Sequence, residues 1–211
     1  MQRKPYQRES EEQRRAALLK ATLDCVAGLG VRGVTVRAIA ASAEVTQGLI
    51  RHYFSSKDEL VRQAYRLHMR EMADAVAVPR ELNGAARLAH LVHVSLSPPV
   101  ATPRSVAIWA NFVALVPCDA AIAEIHRQEY VAFRDMIEAA LDNAMRSAGR
   151  RISAAQRAGY AIALNALIDG LWLEAGLAPE LFGKGELAAI GLEQAGRVLG
   201  IDLASALKAA A

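Results

Sequence analysis

Apolar positions recur at helical spacing along most of the chain, and strand-like alternation is absent. The first stripe is Leu18, Ala21, Cys25 and Leu29. The capping-box pattern Ser10-Glu11-Glu12-Gln13 opens it, and Gly28 and Gly30 end it. Thr35 caps a short second helix with Val36, Ile39, Ala40 and Ala43 inward. After a tight connection at Glu44-Val45, Thr46 caps a third helix with Leu49 and Ile50 inward. Ser56-Lys57-Asp58-Glu59 is a second capping box. It opens a long fourth helix, with Leu60, Ala64, Leu67, His68 and Met72 near one face and Pro79 beyond its end. Further helices are expected over 81–96, 103–116, 119–147 (capped by Asp119), 153–176 (opened by Ser153 and Gln156) and 185–199. The expected fold is all-α with about nine helices. A three-helix domain covers residues 1–56, and a larger helical domain covers 57–211, with the fourth helix as the bridge.

Composition agrees with that pattern. The 211 residues are 53% hydrophobic but only 5% aromatic, as suits helices rich in Ala and Leu. The longest apolar stretch, Tyr160 to Leu177, is broken by Asn165, Asp169 and Glu174, so no membrane span is expected. The charged start of the chain has no apolar signal region, which makes the expected location cytoplasmic. Cys25 and Cys118 then read as reduced thiols. Charge changes the picture more. Residues 1–70 carry 13 Lys/Arg against 7 Asp/Glu, a balance of +6, and residues 71–211 carry 12 against 15, a balance of −3. A basic first third on an acidic remainder fits an anionic partner at one end, or simply a solvated basic surface.

Val45 to Leu60, VTQGLIRHYFSSKDEL, decides between these. Two short helices joined by a tight turn after a longer helix make a helix-turn-helix. Val45, Leu49, Ile50 and Phe54 supply a small core, which leaves Thr46, Gln47, Arg51 and His52 free to enter a major groove. Gly48 lets the helix approach bases or phosphates closely, and Lys57 at a helix start suits a phosphate. The preceding helix would lie across the DNA backbone, adding Thr35 and Arg37 to the DNA-facing set.

The stretch VTVRAIAASAEVTQGLIRHYFSSKDELV resembles the DNA-binding signature of the TetR family of bacterial repressors. The resemblance spans residues 12–66 and rests on Thr35, Ile39-Ala40, Val45, Gly48, the His52-Tyr53-Phe54 run, Lys57 and Leu60. It implies a homodimer with an N-terminal DNA-binding domain and a C-terminal ligand-binding and dimerisation domain. It also implies phosphate contacts from Tyr53 and Lys57 and groove contacts from Thr46, Gln47 and Arg51. Glu44 stands where the family usually has Gly, so the turn is expected to be shaped differently here. Arg51 replaces a frequent Tyr and could reach a base or a phosphate. Downstream, NALIDGLWLEAGL (Asn165–Leu177) and AIWANFVAL (Ala107–Leu115) resemble the choline-responsive BetI subgroup.

The C-terminal rings Trp109, Phe112, Tyr130, Phe133 and Trp172 fall on helices that such a fold packs together. With Asp169 or Glu174 they could hold a quaternary ammonium such as choline; a neutral lipophilic ligand and plain core packing remain open. The near-uniformly apolar Tyr160–Leu177 helix needs cover on more than one side. A second copy would supply it, with Leu167, Leu171, Glu174, Leu187, Ile190 and Gln194 at the interface. No P-loop, glycine-rich nucleotide loop or Ser–His–Asp motif appears, so neither catalysis nor a cofactor is expected. His90, His93 and His126 lack the spacing of a metal site. The expected function is a DNA-binding repressor released from a palindromic operator by a small-molecule inducer. A helical enzyme and a non-specific DNA binder are its rivals.

Overall fold

The computed structural model describes residues 11–210, so the capping role expected of Ser10 lies outside the described residues. Among these residues the fold is entirely helical: α1 (Glu11–Gly33), α2 (Val36–Ser42), α3 (Gln47–Tyr53), α4 (Lys57–Ala75), α5 (Gly84–Ser95), α6 (Pro103–Val113), α7 (Ala120–Ser147), α8 (Ala154–Leu177), α9 (Glu186–Leu199) and α10 (Leu203–Ala209). The chain divides into two compact units between His68 and Met69, inside α4 and not at its start. The physical reason is burial. Leu60, Val61, Ala64 and Tyr65 on the first turns of α4 are buried with the first unit.

In that unit α1 carries Leu18, Leu23 and Val26 into a core shared with Val34, Ile39, Ile50 and Phe54. Gly30 breaks α1 with φ 69, and Leu29, expected in the buried stripe, is 56% exposed just before that break. Helices of seven residues such as α2 and α3 are marginal alone. Their caps and buried faces hold them. The Thr35 hydroxyl accepts from the Ala38 amide at 3.1 Å, and the Thr46 hydroxyl from the Leu49 amide at 3.3 Å.

The turn between them keeps a left-handed residue even without glycine. Glu44 has φ 54, the only positive φ at a non-glycine residue among those described. Its amide bonds the Ala41 carbonyl at 3.3 Å and the Val45 amide bonds the Ala40 carbonyl at 2.9 Å, the two bonds of a Schellman cap. The expectation of a different turn is therefore corrected: the closing hydrogen bonds fix the shape, and Glu44 carries the strain. The box at the start of α4 also differs. Ser56 caps the Glu59 amide, but the Glu59 carboxylate reaches the amide and hydroxyl of Ser55.

In the second unit α5 is the central helix, packed against α7, α9 and α10. Leu88, Leu91 and Val92 are fully buried there, each worth about 1.5–3 kcal/mol of transfer free energy. Asp119 caps α7, and the capping box of Ser153 and Gln156 opens α8 with both reciprocal bonds present. α8 runs so close to α6 that a β-carbon at Gly176 would overlap Val106. α8 is the one helix among the described residues long and apolar enough to cross a membrane by length and composition. Here it packs on α6, α7 and α9 and buries Leu164, Asn165, Ile168 and Trp172. α10 was not anticipated; Asp202 caps it by accepting from the Ser205 amide at 2.9 Å.

Candidate functional site

The first unit presents a polar face built by α2, α3 and the start of α4. Ile50 and Phe54 are buried, so the remaining sides of α3 face outward. Thr35, Arg37, Thr46, Gln47, Gly48, Arg51, His52 and Lys57 are all exposed, and Tyr53 is half-buried. Thr46 precedes the helix and Gln47 and Gly48 form its first turn, which puts polar side chains and a bare backbone at the end that would enter a groove first. A β-carbon at Gly48 would find nothing nearer than the Thr46 hydroxyl at 3.8 Å, so packing within the chain does not require glycine there. Arg15 braces the back of α3. Its guanidinium lies 4.7 Å from the centre of the Phe54 ring and donates to the Tyr53 carbonyl at 3.3 Å and to Gln63 Oε1 at 2.6 Å. Sequence reading missed this brace, because it joins residues far apart in the chain. Lys57 sits at the first turn of α4, where backbone N–H groups and a cation coincide.

The second unit holds a cavity, partly open to solvent, between the end of α4 and helices α6, α7 and α8. Trp109, Tyr130, Phe133, Asp169 and Trp172 line it together. Phe112, expected beside them, is fully buried elsewhere and is not in the lining, because α6 turns it away from the cavity while Trp109 faces in. Trp109 and Trp172 meet edge to face at 5.5 Å, and the Trp172 indole N–H donates to the Val100 carbonyl at 2.9 Å. That bond fixes the ring orientation. His126 stacks on Tyr130 at 5.7 Å and lies 6.4 Å from Trp109, and the Arg134 guanidinium sits 6.0 Å from the Tyr130 ring centre.

Two carboxylates face this apolar space, Glu129 and Asp169, and the lining contains no Lys or Arg. Burial raises the Asp169 carboxyl from its ordinary 3.8 to about 6, against a hydrogen bond from Asn165 that favours its ionised form. Burial lowers His126 and so favours its neutral form. Burial, then the nearby Asp169 charge, raises the Tyr130 phenol. Met69, Met72 and Ala73 from α4, Val76 just after it, and His126, Glu129 and Met136 from α7 also line the cavity and were not anticipated. On α7 the signal was present in the helical spacing His126, Glu129, Tyr130, Phe133. Among the described residues no group of three or more His, Cys, Asp or Glu side chains is placed to hold a metal ion.

Of the residues expected at an interface, Leu187 is buried in the core of its own unit, because α9 turns it toward α5 and α8. Leu167, Leu171, Ile190 and Gln194 are half-buried, and Glu174 is exposed. The side of α8 left open carries Ile162, Ala166, Gly170, Glu174 and Leu177 at helical spacing, with Val198 exposed on α9.

Two stretches match known families, the first ending within α4 and the second beginning at α5. Residues 18–64 match the bacterial regulatory proteins of the tetR family, and residues 84–200 match the BetI-type transcriptional repressor C-terminal domain. The chain belongs to the TetR family. It is a DNA-binding transcriptional regulator with a BetI-type C-terminal domain, and not an enzyme. The HTH-type transcriptional regulator BetI of Agrobacterium fabrum is 33% identical over 165 residues, 77% of each chain. A transcriptional regulator from Pseudomonas aeruginosa PAO1 superposes with a TM-score of 0.77 at 31% identity, covering 95% of this chain and 97% of that one. A regulator from Saccharomonospora viridis, crystallised with choline, shares the fold with a TM-score of 0.74 at 18% identity, covering 90% of this chain and 97% of that one.

Proposed function

We propose that two copies of this TetR-family regulator grip a palindromic operator in the cytoplasm and that a small organic cation of the choline class releases them. The cavity lining carries the reading: four aromatic rings and two carboxylates, with no Lys or Arg among them. Rings attract a cation through their faces, by about 0.5–2 kcal/mol each when partly desolvated. A carboxylate in such a site is costly to ionise alone, and a bound cation offsets that cost. The TetR family and its BetI-type branch make an organic cation a consistent inducer, as does the choline found in the Saccharomonospora relative.

The route to DNA is α4. It carries Lys57 at its start, and Met69, Met72 and Ala73 of the cavity wall lie on its later turns. A ligand that displaces those turns acts on the helix that opens beside the DNA-facing surface. By linkage, the ligand must bind the DNA-free arrangement more tightly. A second copy would cover the open side of α8, and it would also supply the second recognition helix, about 34–36 Å away on DNA.

The test is operator release. Choline should release the protein from its operator, and its uncharged isostere 3,3-dimethylbutan-1-ol should do so at least about tenfold less well. Choline affinity should rise with pH through the Asp169 midpoint of about 6 and level off above it, because the cation binds the ionised carboxylate. Tight binding of a neutral aromatic, with no response to millimolar choline, would replace the cation with a lipophilic inducer.

A further inference from the structure

Asn165 is the one polar side chain on α8 that is almost wholly buried, at 1% exposure, and it does not line the cavity. Its amide nitrogen nonetheless touches two residues that do. It donates to the Tyr130 hydroxyl oxygen at 2.7 Å and to Asp169 Oδ2 at 2.7 Å. One side chain thus ties α7 to α8 directly behind the cavity wall. Its own oxygen, Oδ1, is buried with no hydrogen-bond partner among the described residues. An orphaned buried acceptor disfavours folding, so stability alone does not explain an amide at this position.

We propose that Asn165 is the positioning residue that makes this cavity discriminate by charge: its amide holds the Asp169 carboxylate and the Tyr130 hydroxyl in place for a small cation that also carries an oxygen. The inference rests on the cation reading above and adds the residue that enforces it. The chemistry follows from the donor count. An ionised carboxylate only accepts, so the –NH2 end of the amide must face Asp169, and Oδ1 is turned away. Because that same –NH2 donates to the Tyr130 oxygen, the phenol keeps its own proton to give. Asp169 then meets the positive end of a ligand, and the Tyr130 O–H meets an oxygen acceptor such as a hydroxyl or carbonyl. The charged and titratable groups around Asp169 are Tyr130, His126 and Glu129 from α7, with Arg134 beyond the Tyr130 ring. From α4, the turn after it and α6 the wall offers only Met69, Met72, Ala73, Val76 and Trp109, so no fixed cation substitutes for the amide.

Asn165→Leu tests this, because it keeps the volume and removes both hydrogen bonds. Calorimetry of the full chain with choline and with 3,3-dimethylbutan-1-ol, at about pH 6 and about pH 8, separates the possibilities. The wild-type protein alone decides the cation reading, through its preference for choline over the isostere. The variant decides the role of Asn165. The expected result is a loss of about tenfold in choline affinity, less than about twofold for the isostere, and a melting temperature no lower than wild type. The carbon-13 signal of the Asp169 carboxyl should titrate about one pH unit higher in the variant. Equal losses for both ligands would mean a merely structural side chain and overturn the proposal, as would unchanged choline affinity. If the wild-type protein shows no preference for choline, the carboxyl titration still decides: an unmoved midpoint in the variant would show that the amide does not hold Asp169 in its charged form.

Discussion

The two units keep their polar residues in opposite places. In the first, every side chain proposed to meet DNA except Tyr53 is exposed, and the apolar residues beneath, Ile39, Ile50 and Phe54, are buried. In the second, Asp169 is set in the wall of an apolar cavity and Asn165 is buried just behind that wall. Exposed groups contribute little to stability and are free to be optimised for binding. Buried ones cost stability until a ligand or neighbour compensates them. Truncating the exposed side chains proposed to meet DNA should therefore alter binding but not melting, whereas substitutions in the cavity wall should alter both.

The largest effect should come from separating the copies. Val198 is 47% exposed and Ile162 is 54% exposed on the open side of α9 and α8, so Val198→Asp leaves the single chain's core intact. It should nevertheless halve the light-scattering mass. Operator affinity should fall by about a hundredfold, since two linked half-site contacts become one. A wild-type mass of one chain at micromolar concentration would remove this argument.

Asp169→Asn should have the next largest effect, and in the direction the comparison requires. The folded carboxyl titrates near 6, above its ordinary 3.8. A raised acid is better protonated in the folded state, so its charge costs stability as pH rises through that window. The uncharged variant should therefore be more stable at about pH 8 by on the order of 2 kcal/mol, and about equally stable at pH 4. It should also lose its preference for choline over the neutral isostere. Denaturant melts at the two pH values check the first statement, and calorimetry checks the second.

On the DNA face the expected changes are smaller and leave melting alone. Gln47→Ala or Arg51→Ala should cost about 1–3 kcal/mol of specific binding and relax base preference if the side chain contacts a base edge. Lys57→Ala should weaken all sequences alike and flatten the salt slope by about one unit. In each case the thermal midpoint should stay close to wild type, because these residues are exposed. Binding titrations at several salt concentrations would separate the two classes of contact. A change in base preference from Lys57→Ala, with none from Arg51→Ala, would reverse the assignment.

The same contrast explains what could be read from the sequence. The caps Thr35, Thr46, Asp119 and Ser153 were legible because each acts within three residues of itself. The exposed side of α3 was legible because a two-turn helix with one buried stripe leaves only one other side. The cavity was legible in part. The family resemblance put Trp109, Phe112 and Trp172 on helices that pack together, but Phe112 is buried away from the cavity that the two indoles line. Periodicity tells which side of a helix is covered, not what covers it. Leu187 illustrates the same limit, since its stripe fits a partner copy or the chain's own core equally well. Asn165 was read only as a break in an apolar run, because its meaning depends on Tyr130, 35 residues away.

The smallest effects concern backbone positions on the DNA face, where stability and binding can be separated within one turn of chain. Gly48 has open space where a β-carbon would stand, and its φ is not left-handed. Gly48→Ala should therefore stabilise the free protein by about 0.5–1 kcal/mol, by restricting the unfolded chain and favouring α3. It should weaken operator binding if the bare backbone approaches DNA. Glu44 is the opposite case. It holds φ 54 with a β-carbon, in a turn closed by the two Schellman bonds. A side chain there costs on the order of 1 kcal/mol. Glu44→Gly relieves that strain but gives the unfolded chain more freedom, so the net gain should be a few tenths of a kcal/mol up to about 1 kcal/mol. It also removes one negative charge from the helix-turn-helix, so DNA affinity should rise slightly at low salt and match wild type at high salt. A loss of stability on Glu44→Gly would show that the strain of the left-handed backbone is outweighed by the freedom the unfolded chain gains or by a stabilising contact of the Glu44 side chain.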